Sequence, residues 1–191
     1  METLLATVSA SMGFAVLALS GAIHFAKLDV FKAMLRSHNF WPPTFVTVVA
    51  QCVALAECTI ASLGLAALLP GLSASTARDL MTYALAGAMV LYVALAAYAA
   101  VLLRRNPGVP CACSSRAEPI SIWVPVRTTV LALGCGFAAA QVDLVLSWTW
   151  SSDALLAFLA ASTFTVLAWI LPSTLHDPNK QGISWTSRPA H

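Results

Sequence analysis

Apolar positions in this chain gather into five long blocks separated by short polar stretches. The blocks run from about Leu4 to Phe25, Thr44 to Leu69, Leu80 to Leu103, Ile122 to Leu146 and Ala154 to Leu171. Pro70-Gly71 closes the second, Arg104-Arg105-Asn106-Pro107 the third and Pro172 the fifth. Each is close to the roughly 20 residues that cross about 30 Å of hydrocarbon at about 1.5 Å per residue. An open backbone group in lipid costs several kcal/mol, so blocks of this kind predict helices. The expected fold is all-α, an integral membrane bundle of about five transmembrane helices. Residues 1–172 form its single domain and the polar stretch 173–191 a mobile cytoplasmic tail. The first block reads as a span rather than a signal peptide, because Met1-Glu2-Thr3 carries no Lys or Arg.

Composition agrees with this pattern. Of 191 residues, 59% are hydrophobic and 9% charged, against roughly 25% charged in a soluble domain. Such a chain cannot cover a water-facing surface and must be solvated by lipid. A formal net charge of +2 is too small to imply nucleic acid.

Charge placement says more than its sum. With five spans, one side of the membrane receives Lys27, Lys32, Arg36, Arg104, Arg105, Arg116, Arg127, Lys180 and Arg188, and the other only Arg78. Lys and Arg favour the cytoplasmic side, which predicts an N-terminus outside and a C-terminus inside the cell membrane. Trp41, Trp123, Trp148 and Trp150 fall near span ends, at the depth of the headgroups.

The sharpest local feature is Pro110-Cys111-Ala112-Cys113-Ser114, in the loop before the fourth span. Two thiols at i, i+2 can close a strained disulfide ring, and strained, exposed disulfides are the exchangeable ones. Arg104, Arg105 and Arg116 nearby favour the thiolate. Two other readings stand beside this redox pair. The cysteines are incidental, or they supply half of a metal site that His24, His38 or His176 would complete.

Cys52 and Cys58 in the second span and Cys135 in the fourth read first as small buried hydrophobes. Cys52 lies nine residues past Pro43, roughly 14 Å deep, and Cys135 roughly 12 to 16 Å deep. That depth allows Cys52 and Cys135 to meet in one layer. Glu57 sits mid-span, where a carboxylate costs about 2.5 to 3.5 kcal/mol and usually faces the bundle interior. Its helical face also carries Ala50, Ala61 and Gly64, which allow another helix close approach. It reads as a proton carrier, a group that tunes a thiol, or a protonated packing residue, with Gln141 as candidate partner. At the end of the first span, Lys27 snorkels to the interface. His24 is a candidate quinone or haem ligand there, but no second intramembrane His completes a bis-His haem.

Together these residues resemble a known family. Ser20-Gly21-Ala22-Ile23-His24-Phe25-Ala26-Lys27-Leu28-Asp29 ends the first span, and a short amphipathic stretch leads to Pro42-Pro43. A central Glu57, the Cys111–Cys113 loop and Arg127 at the mouth of the next span follow. Over roughly residues 10 to 145 this pattern is similar to the methylamine utilisation protein MauE, within the MauE/DoxX redox-associated membrane group. Ser114-Ser115 stands where the family's loop often continues Phe-Gly. The resemblance implies a maturation factor, rather than a stand-alone enzyme, with no cofactor of its own. Its partner would be a thioredoxin-like, membrane-anchored protein, MauD. Its client would be the exported, disulfide-rich β (small) subunit of methylamine dehydrogenase, which carries tryptophan tryptophylquinone. Cys111 and Cys113 match the family's thiols, while Glu57 matches by position.

The charge count places those thiols inside, whereas the client folds outside. Either electrons cross through Cys52 or Cys135, the favoured reading, or the orientation is reversed. Two rival functions remain at this stage. One is a non-redox assembly or structural subunit of a membrane complex. The other is a small proton-coupled transporter using Glu57, which lacks an inverted repeat.

Overall fold

The computed structural model describes residues 2–69, 71–105, 109, 120–147, 156 and 159–167. It is an all-helical membrane bundle. Helices α1 (Glu2–Ala26), α3 (Pro43–Ala66), α4 (Ala74–Arg105) and α5 (Trp123–Ala140) are long and apolar enough to cross a bilayer. Two short helices accompany them, α2 (Leu28–Ser37) and α6 (Val142–Leu146). Residues 159–167, within the fifth apolar block, are also helical.

The long helices pack in a ring: α1 on α3, α3 on α4, α4 on α5 and α5 back on α1. Lipid tails are as apolar as leucine, so burial of greasy surface does not drive this packing. Close approach does. Gly64 lies under the Phe14 ring, where a Cβ would stand 2.5 Å from the nearest ring carbon. Gly21 meets Cys58 and Glu57, and a Cβ at Gly13 would come within 2.6 Å of Cys135 Sγ. The pairs Phe14–Gly64 and Gly21–Cys58 also show that α1 and α3 run antiparallel. Across the diagonal, the Tyr92 hydroxyl donates to the Gly13 carbonyl at 2.7 Å.

The amphipathic stretch after the first span is α2. Its Phe31 and Leu35 are buried against Val46 and Ala50 of α3, while Asp29 and Arg36 stay exposed. Asn39, in the left-handed region at φ 51°, turns the chain away, a conformation Asn tolerates better than most residues. Pro43 then opens α3, where its missing N–H costs nothing.

Helix α4 starts at Ala74, ahead of the predicted Leu80. The Ser73 hydroxyl accepts the Thr76 N–H at 3.2 Å and caps the helix. At 32 residues, or about 48 Å at 1.5 Å each, α4 outruns the hydrocarbon and carries its polar first turn into the headgroup layer. The predicted fourth span is broken rather than continuous to Leu146. Gln141 leaves the helical region (φ −117°, ψ 31°), and α6 follows as one short turn. At that end Asp143 accepts from Arg78 at 3.0 Å, tying α6 to α4 across an exposed surface.

Candidate functional site

The antiparallel register of α1 and α3 creates the site. Side chains on a helix lean toward its N-terminus. His24, near the end of α1, and Glu57, past the middle of α3, therefore lean toward each other. His24 Nδ1 and Glu57 Oε2 are 2.7 Å apart and share a proton. Both are buried, at 7% and 2% exposure, so each spares the other an unsatisfied polar atom in hydrocarbon. The His24 ring also stacks on Phe31 of α2, with centroids 4.0 Å apart and planes within 6°. The interfacial helix thus fixes the imidazole that the membrane helix presents to Glu57.

A cavity of about 230 Å³ opens beside this pair. Its walls come from the last turns of α1, from α2, from the first half of α3, from the second half of α4 and from the start of α5. They are mostly aliphatic and aromatic. Polar groups enter at a few points: Glu57 with His24, Arg127 with Thr128 on α5, and His38 with Tyr98. The Tyr98 hydroxyl and His38 Nδ1 are 2.7 Å apart. Phe40 meets Tyr98 edge-on, and the Arg105 guanidinium sits 5.5 Å over the Phe40 ring.

The partner of Glu57 is His24 rather than the candidate Gln141. Gln141 lies at the break after α5, near the opposite end of the bundle. The buried face of α3 does carry Ala50, Glu57, Ala61 and Gly64. Arg127, expected at the mouth of a span, lines the cavity with Glu57. His38 enters the sequence reading only as a candidate third ligand for a metal site. It is 2% exposed and continues the inward face of α2, since Phe31, Leu35 and His38 follow an i, i+4, i+7 spacing. That spacing was the signal that would have found it.

Cys52 and Cys135 do not meet in one layer. Cys135 is fully buried against Gly13 of α1, Cys58 packs on Gly21, and Cys52 is exposed. The eight residues from Gly13 to Gly21 along α1 correspond to about 12 Å, and the six from Cys58 to Cys52 along α3 add about 9 Å. The two expected relay thiols thus lie roughly 20 Å apart along the bundle. The expectation assumed that both helices enter the membrane at one plane. In the fold, the first turns of α3 extend past the end of α1 and are covered by α2.

Cys111 and Cys113 lie outside the described residues, as do Arg116, Trp148, Trp150, His176, Lys180 and Arg188. Val109 and Ile120, which flank the two thiols in sequence, are described. Ile120 N–H donates to the Val109 carbonyl at 2.9 Å. Val109 packs with Ala99, Leu102, Ile120 and Val124, all four of which also line the cavity. Among the described residues no three His, Cys, Asp or Glu side chains converge as metal ligands.

The family model of the methylamine utilisation protein MauE matches residues 1–141. The chain belongs to the MauE family. The match takes in α1 to α5 and ends at the Gln141 break, so it contains the whole cavity and the Cys111–Cys113 segment. Membership places this multi-pass membrane protein in methylamine utilisation. No curated protein and no solved structure matches the chain.

Proposed function

We propose that this MauE-family protein is a membrane thiol–disulfide factor. In this reading it assists maturation of the disulfide-rich β subunit of methylamine dehydrogenase, together with a MauD-like, thioredoxin-like partner. Cys111 and Cys113 carry the exchange. Family membership joined to a Cys-x-Cys pair in the segment between α4 and α5 supports it. Exchange proceeds by attack of a thiolate on a disulfide sulfur, so the segment must reach the client or its partner directly.

The same requirement bears on orientation. The expected relay runs through Cys52 or Cys135; one that uses both would need sulfurs in contact, and roughly 20 Å separates them along the bundle. Direct exchange is the simpler reading. It puts the Cys111–Cys113 segment on the client's side of the cell membrane and the N-terminus inside, against the charge asymmetry.

Replacing Cys111 or Cys113 by Ser in a host that makes methylamine dehydrogenase tests the reading. The expected result is loss of stable β subunit, with the variant still present in the membrane. Full levels of active dehydrogenase from the double variant would contradict it, and would favour a non-redox assembly role.

A further inference from the structure

We propose that the cavity between α1, α2, α3, α4 and α5 is a binding site for a membrane-soluble quinone, the electron acceptor for the thiol pair. The acceptor role rests on the thiol–disulfide reading above; the binding site rests on the cavity alone.

Three observations carry it. The first is the void itself. Protein interiors rarely hold spaces larger than a water molecule, and the cavity measures about 230 Å³. A cavity of about 150 Å³ already admits a benzene ring, so a substituted six-membered ring fits. Mostly apolar walls disfavour filling by water.

The second is the kind of wall. Phe31, Trp41 and Tyr98 present aromatic surface to the space, which suits a flat ring. Two separate polar pairs, His24–Glu57 and His38–Tyr98, interrupt it beside Arg127. Carbonyl oxygens need hydrogen-bond donors, and imidazole, phenol and guanidinium supply them. A plain acyl chain would gain nothing from these groups.

The third is access. Ala94 of α4 lines the cavity and is also exposed on the outside of the bundle. Trp41 likewise lines the cavity and is exposed, so the space is not sealed inside the bundle and a lipid-soluble molecule has a way in.

The chemistry balances for a quinone. Two thiols that become one disulfide release two electrons and two protons. The quinone ring takes up two of each and leaves as the quinol. His24 and Glu57 both line the cavity, so the hydrogen-bonded pair faces the space the ring would fill.

The test uses the purified full-length protein with Cys111 and Cys113 both replaced by Ser, so that binding is read apart from redox activity. The probe is a photoreactive azido-quinone, with decylubiquinone as competitor and decane as control. Expected is saturable labelling of peptides around Trp41 and Tyr98, displaced by decylubiquinone but not by decane. Leu95→Trp, which fills the cavity from α4, should weaken labelling by about tenfold or more, equivalent to about 1.4 kcal/mol. Labelling that is absent, lies elsewhere or yields equally to decane would overturn the site. Site labelling in the double-Ser protein, together with failure of the native reduced protein to turn decylubiquinone into quinol, would keep the site and overturn its role as acceptor.

Discussion

The Glu57 carboxyl is the residue on which the interior turns. In lipid it cannot stand alone, and His24 meets it at 2.7 Å. Removing one partner leaves the other buried without its hydrogen bond, at a cost of about 1–3 kcal/mol. His24→Ala should therefore lower the thermal midpoint of the detergent-solubilised protein. Adding Glu57→Leu to that variant should recover part of the loss, because the orphaned carboxyl is then gone. A double variant that is simply the sum of the two losses would show that the pair is not coupled. Cys135 makes a second expectation at this scale. It is fully buried, so it should stay unlabelled by maleimide in the folded protein and react after denaturation. That Glu57 faces inward was legible from its mid-span position and the small residues on its face. Its partner was not, because which residue of α1 comes level with it depends on a register that no local pattern encodes.

Among elements, α1 and α3 depend on contact too close for a side chain. Gly64→Ala drives a methyl group into the Phe14 ring, and overpacking of this kind costs about 1–3 kcal/mol. Gly87→Ala is the matched control. Its Cβ would meet only Ile60, Cγ1 at 3.4 Å and Cδ1 at 3.5 Å, an ordinary contact, and any loss should stay within about 0.5 kcal/mol. Helix propensity alone would raise both thermal midpoints, since Ala is the better helix former, so equal changes from both would mean that the Phe14 contact does not set the response. The exposed Arg78–Asp143 pair should matter little, as solvated ion pairs contribute at most about 1 kcal/mol. Hydropathy found the four long helices, since length and apolarity are local properties. It missed how α2 covers the first turns of α3, and that set the depth of Cys52 wrongly. It also ran the fourth helix through Gln141, because the apolar pattern continues across a backbone break that composition does not mark.

At the scale of the whole molecule, the four described spans pack in a ring that puts the last turns of α1 in the same half as the end of α4 and the start of α5. The His24–Glu57 pair, the cavity, and Val109 and Ile120, which flank the thiol segment in sequence, therefore share one half of the bundle. Sequence reading identified the thiols and the buried carboxylate as separate features. That the carboxylate and the residues flanking the thiol segment share one half follows from helix packing. Whether the thiols serve an exported client is the central claim, and thiol accessibility in intact cells tests it most directly. Cells are treated with a membrane-impermeant maleimide, with and without prior reduction, and labelling is read at Cys111 and Cys113. Expected is labelling only after reduction, the mark of a disulfide that faces the client. Protection in intact cells with labelling in opened, reduced membranes would put the pair on the other side and contradict direct exchange.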